Sequence, residues 1–101
     1  MKHGGYVYIL ASRRAGTLYT GITADLERRV SEHQQGTIDG FTEDYDVTRL
    51  VHYEVFDRIG AAIAREKAMK KWRREWKMNL IERQNPEWRD LSVQLGFEPQ
   101  R

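Results

Sequence analysis

Three observations predict an α+β domain. Short runs rich in β-branched and aromatic residues alternate with stretches of helical period. Their order is β-β-α-β-α, followed by a helical C-terminal extension. Three strands with helices packed on them make a compact α+β domain. The 101 residues suggest one domain, with a core over about 6–80 and a helical tail over about 81–101.

Tyr6 to Ala11 (Tyr-Val-Tyr-Ile-Leu-Ala) is the first strand, and Ser12 to Gly16 is a polar connection. Thr17 to Thr20 is a second strand, so the two form an antiparallel hairpin, which Gly21 stops. The first helix begins near Thr23 as N-cap, with Asp25 in the first turn, where a negative charge suits the helix dipole. Leu26, Val30 and His33 form its stripe, and Arg29 lies on the stripe's edge. Gln34 to Asp46 has two glycines and no period, so it is a loop.

Thr48 to Phe56 is a third strand, in which His52 alternates with Val51 and Tyr53 and faces solvent. Asp57 is a candidate cap for a second helix from Ile59 to Trp72 or beyond, with a stripe of Ile59, Ala62, Ile63, Glu66 and Met69. Trp72, Trp76 and Leu80 continue an apolar face on a further or bent helix. Asn85-Pro86 ends it, and Glu87 to Leu95 forms a short helical turn or tail.

With no cysteine, disulfides and thiolate metal sites are excluded. No apolar run is long enough to span a bilayer, and the start shows no signal-peptide pattern. A cytoplasmic protein without a membrane partner is the expectation. The net charge of +2 says little, but its distribution says more. Arg65, Lys67, Lys70, Lys71, Arg73, Arg74 and Lys77 outnumber Glu66 and Glu75 over one segment, while 39–57 is acidic. A basic strip on one helix attracts a polyanion, although a solvated helix face looks the same in sequence.

Cleaving a phosphodiester needs a nucleophile, neutralisation of the phosphate charge and a group that activates water. Glu66 is the metal candidate, because a carboxylate on an apolar stripe is unusual. The competing reading is an ion pair with Arg65, Lys70 or Arg29. One carboxylate holds magnesium only with water and phosphate completing its shell. Arg29 suits a phosphate, or else covers the core with its stem. His33 can share a proton or contact phosphate, or simply sit at a helix end favoured by the dipole. Tyr8 and Tyr19 lie in adjacent strands, where tyrosine also serves packing. A tyrosine base has an unsuitable reference pKa of about 10, so it needs help from its surroundings. Trp72, Trp76 and Trp88 can stack on bases or belong to core and interfaces.

Taken together, Tyr6-Val7-Tyr8, Tyr19-Thr20-Gly21, Arg29, His33 and Glu66 resemble the GIY-YIG nuclease superfamily. The stretches Gly40-Phe41-Thr42, Leu50-Val51-His52-Tyr53-Glu54, Arg65-Glu66-Lys67, Leu80-Ile81 and Asn85 to Leu91 resemble its small stand-alone bacterial members. The resemblance implies a three-stranded antiparallel sheet flanked by helices. It implies an endonuclease or nickase acting on nucleic acid, DNA by expectation, with one Mg2+ or Mn2+. Tyr8 matches the tyrosine of the first motif, and Tyr19 matches the proposed general base of the second. Arg29 matches the phosphate-contacting arginine, Glu66 the metal-binding glutamate, and His33 a position that is histidine or tyrosine in relatives.

Tyr6, Val7 and Thr20 depart from the motifs in strand-compatible ways. The asparagine that follows the glutamate helix in repair and homing enzymes has Trp88, Arg89 and Asp90 in the comparable stretch. Asn79 is an asparagine in the same half of the chain. No second domain is visible to supply target choice, so the resemblance leaves that to this surface or to a protein partner. Two other readings keep the fold: a non-catalytic nucleic-acid-binding module using the basic strip, and a protein-interaction domain using Trp72 and Trp76.

Overall fold

In the computed structural model, residues 4–35 and 47–97 are described. They form β1 (Gly5–Ala11), β2 (Leu18–Thr23), α1 (Leu26–Gln35), β3 (Arg49–Phe56), α2 (Ile59–Lys70), α3 (Arg74–Gln84) and a 3-10 turn (Leu91–Leu95). Most of the expected loop over 34–46, with Gly40-Phe41-Thr42, lies outside the described residues. No helix among those described is long and apolar enough to cross a membrane.

The sheet has the order β2-β1-β3, with both pairings antiparallel. A central strand is covered on two faces, which explains the almost unbroken apolar run of β1. Val7, Ile9 and Ala11 pack with Val51, Ala62, Met69, Ile81 and Trp88. Tyr8 and Leu10 turn the other way and pack with Leu26, Val30, Val47 and Leu50. So α1 covers one face, and α2 with part of α3 covers the other.

Several local expectations need correction. Gly21 does not stop β2, which continues to Thr23; Gly21 pairs with Tyr8. A Cβ there would collide with the Tyr8 hydroxyl, so this glycine serves a close side-chain approach. Asp25, not Thr23, caps α1: its carboxylate accepts from the Arg28 amide at 3.1 Å. Thr23 belongs to β2, and its hydroxyl accepts from the Asp25 amide at 3.0 Å. The residue before α2 is Arg58, not Asp57, and no side chain caps that helix.

On α2 the buried residues are Ala62, Glu66 and Met69; Ile59 and Ile63 are exposed. The helix ends at Lys70, and a separate α3 carries Trp76 and Leu80. The basic strip therefore spans two helices and their junction. His52 is buried rather than solvent-facing. The cause is a bulge: Ile9 pairs with His52, but Leu10 pairs with Leu50. The extra residue, Val51, breaks the alternation, so Val51 and His52 both face the α2 side.

His52 meets Glu54 at 2.8 Å, and Arg65 donates to both Glu54 oxygens at 2.9 and 3.1 Å. The His52 hydrogen bond, followed by that from Arg65, holds Glu54 down to about 2 against the opposing effect of burial.

The tail closes over β3. Asn85 donates to the Val51 carbonyl at 3.1 Å and to the Arg89 carbonyl at 2.9 Å, and accepts from the Arg89 amide at 2.9 Å. Asp90 accepts from the Leu50 amide at 3.3 Å. Trp88 is fully buried and donates to Glu82 at 2.7 Å.

Candidate active site

Tyr8 and Tyr19 stand on neighbouring strands, two residues out of direct register, since Leu10 pairs with Tyr19 and Gly21 with Tyr8. Both point to the α1 face. Because Gly21 has no side chain, the ring of Tyr8 lies across its backbone. Helical spacing from Leu26 and Val30 turns His33 inward onto the two rings. The ring centroids are 6.3 Å apart for Tyr8 and Tyr19, 5.7 Å for Tyr8 and His33, and 5.3 Å for Tyr19 and His33. The Tyr8 hydroxyl and His33 Nε2 are hydrogen-bonded at 3.0 Å.

The electrostatics sort these groups. Burial, and then the neighbouring Tyr19, push the Tyr8 phenol far above its ordinary value, so Tyr8 keeps its proton. Burial, and then the Arg29 charge, bring His33 down to about 4. Neutral His33 therefore offers Nε2 as an acceptor to the Tyr8 hydroxyl at neutral pH. Tyr8 is buried and Tyr19 only half-buried, which makes Tyr19 the phenol nearer solvent. Arg29 sits at the rim, half-exposed, 3.6 Å from Glu32 and close enough to act on both Tyr8 and His33.

The His33 shift gives a sign-definite expectation for stability. Its folded pKa lies below the ordinary 6.5, so the unfolded chain binds the extra proton between about 6.5 and 4. Stability should fall as pH drops through that window and level off below it, as far as His33 is concerned. The expected loss is on the order of 2–3 kcal/mol. Denaturant midpoints of the wild type and His33→Gln, taken from pH 7.5 to 4.5, should converge as pH falls. Parallel profiles would refute this.

Glu66 lies in the other layer, on the α2 side of the sheet, and no direct contact joins it to the tyrosine cluster among the described interactions. Its carboxylate is nearly buried and holds the Lys70 ammonium at 2.6 Å. Thr20, on the same side by its pairing with Ile9, has a buried hydroxyl without a hydrogen-bond partner among the described residues. No group of three or more His, Cys, Asp or Glu side chains gathers around a metal-sized space among the described residues.

Within the basic strip, Arg65 is tied to Glu54, and Arg74 donates to the carbonyls of Ala15 and Gly16 at 2.6 Å each. Lys67, Lys71 and Arg73 are exposed. Burial, and then Lys70, lower the pKa of Lys77. Trp88, Arg89 and Asp90 are used structurally: Trp88 fills the core, Arg89 pairs with Glu87, and Asp90 caps the 3-10 turn. The Tyr8–His33 hydrogen bond and the His52–Glu54–Arg65 network were missed in sequence. A bulge and a 25-residue separation leave no periodic signal for either.

Comparison with known proteins adds four findings. The profile of the GIY-YIG catalytic domain matches residues 4–79. A UPF0213 protein of Haloquadratum walsbyi is 44% identical over 77 residues, covering 76% of this chain and 85% of its own length. One of Syntrophus aciditrophicus is 41% identical over 83 residues, covering 81% and 93%. The solution NMR structure of a UPF0213 protein from Bacillus halodurans superposes with a TM-score of 0.55 at 28% identity, covering 94% of this chain and 99% of that one.

Proposed function

The chain belongs to the GIY-YIG catalytic domain family, a nuclease family, and on that premise we propose that it is an endonuclease or nickase that hydrolyses nucleic-acid phosphodiesters, DNA first, with one divalent ion. The observation that carries the reading is the Tyr8–Tyr19–His33 cluster beside Arg29. Tyr19 is the half-buried phenol; once its own proton has left to solvent, its phenolate oxygen takes the proton of the attacking water. Tyr8, held protonated, donates its one proton to His33 and packs its ring against that of Tyr19, which fixes the orientation of the Tyr19 phenol. Arg29 places a planar fork where a phosphate at the rim can be gripped.

Glu66 is the residue to hold Mg2+ or Mn2+. The fit rests on this chain's own arrangement: the nearly buried carboxylate already holds a cation, Lys70, in the position of a stand-in. With one carboxylate, water and substrate phosphate complete the shell, as is usual for magnesium. When bound, the ion supplies Lewis-acid neutralisation of phosphate charge. Lys67, Lys70, Lys71, Arg73 and Lys77 form the surface that steers the polyanion, with Arg65 and Arg74 bracing it from within the fold. A cytoplasmic setting and a targeting protein partner are part of the same proposal.

The test is cleavage of single-stranded, duplex and branched DNA and of matching RNA, with Mg2+, Mn2+ or chelator. Metal-dependent products are expected, reduced roughly 100- to 10,000-fold by Tyr19→Phe, the range of a general base. If the purified protein cuts no member of the panel, the catalytic reading fails and the binding-module alternative takes its place.

A further inference from the structure

A cleft of about 360 Å³ lies between α2 and α3, lined by Arg65, Trp72, Trp76, Asn79, Leu80 and Arg83. That volume falls within the usual ~300–1,000 Å³ of ligand sites. Trp88 fills the core and Trp72 packs partly against it, but Trp76 is not part of that cluster and answers to something else. Trp76 is 50% exposed, a large apolar area to leave in water. The two rings meet edge to face, 6.3 Å apart at 74°. Arg65 lies 5.0 Å from the centroid of Trp72, and Arg73 lies 5.6 Å from that of Trp76. The side chains of Asn79 and Arg83 make no hydrogen bond or ion pair among the described residues.

We propose that this cleft is a binding pocket for one unpaired nucleobase of a nucleic-acid strand. The inference rests on nucleic acid being the ligand and adds where, and in what state, a base is held. Cations beside exposed aromatic faces match a ligand that is both flat and negatively charged. A base in a duplex already has both faces stacked, so only an unpaired base can lay one against Trp76. The Asn79 amide offers a donor and an acceptor to the base edge, and Arg83 reaches a flanking phosphate. Lys77 and Lys70, close enough to act on each other, extend the positive surface.

The test uses the full chain in chelator, so that no cutting occurs, and measures binding of oligothymidylate and of a blunt duplex of equal length. Trp76→Ala should weaken oligothymidylate binding about 5- to 100-fold, the range of one lost base stack. Its salt slope should stay unchanged, and duplex binding should change less than about 2-fold. Trp76→Phe should restore most of the affinity. Arg83→Gln should lower the salt slope by about one. Wild-type oligothymidylate should quench tryptophan emission, with buried Trp88 as a silent background.

Equal losses on both ligands, or no loss on oligothymidylate, overturn the pocket. So does a wild-type dimer, seen by sedimentation, that Trp76→Ala dissolves, because the face would then serve self-association. Metal-dependent cleavage alongside unchanged oligothymidylate binding in Trp76→Ala overturns the pocket and leaves the nuclease reading standing. The absence of both binding and cleavage overturns both.

Discussion

Glu66→Ala is expected to bring metal-dependent cleavage down by about 1,000-fold or more while the fold survives. A Lewis acid on the phosphate is worth several kcal/mol, and each 1.36 kcal/mol is tenfold in rate. The fold should hold because the partner left behind, Lys70, is half-exposed and returns to water. Because the Glu66 end is nearly buried, losing the pair should cost more than a surface pair's roughly 1 kcal/mol but less than the roughly 3–5 kcal/mol of a fully buried one. A second readout separates loss of metal from loss of shape. Mn2+ should raise the melting temperature of the wild type and leave that of Glu66→Ala unchanged, since only a folded-state ligand stabilises. Retained cleavage in the variant would place the metal elsewhere or point to a contaminant.

Gly21→Ala is expected to be the most damaging small change on the α1 face. The added methyl meets the Tyr8 hydroxyl and comes within 3.0 Å of the Tyr19 ring. Tyr8 is buried on all sides and cannot swing away without moving Leu26 and Val30. Overpacking of this kind costs about 1–3 kcal/mol. It also breaks the 3.0 Å bond from Tyr8 to His33, and a misplacement near 1 Å can cost about 100-fold in rate. Gly60→Ala is the matched control: nothing lies within 4 Å of its added methyl, and it sits in α2. That change should stabilise by about 0.5–1 kcal/mol. If the two variants melt alike and cut alike, the close packing of Tyr8 on Gly21 has no functional weight.

The elements were legible where one local pattern decided them. The apolar run of β1 and the Leu26–Val30–His33 stripe needed only period and composition. Gly21 misled because its usual meaning is a stop, whereas here it makes room for a ring from the next strand. His52 misled because alternation assumes a regular strand, and a one-residue bulge shifts every later face. On α2 the stripe was read too wide, since Ile59 and Ile63 lie beyond the arc that the sheet covers.

Of the site, the meeting of Tyr8, Tyr19 and His33 follows from the hairpin and the helix that comes after it. Lys70 was one of three partners the sequence suggested for Glu66, beside Arg65 and Arg29, and the one of them at i,i+4 spacing on the same helix. The protonation states were not legible at all. They depend on burial and on Arg29, which only the packed structure supplies.

The side-chain cover over β3 also bears on how this protein behaves at high concentration. Asp90 takes the Leu50 amide and Asn85 takes the Val51 carbonyl, two backbone groups that would otherwise greet a foreign strand. The tail thus acts as a guard against edge-to-edge aggregation on that flank. Among the described residues β2 has β1 as its sole strand partner, so the unguarded flank is the one that carries Tyr19.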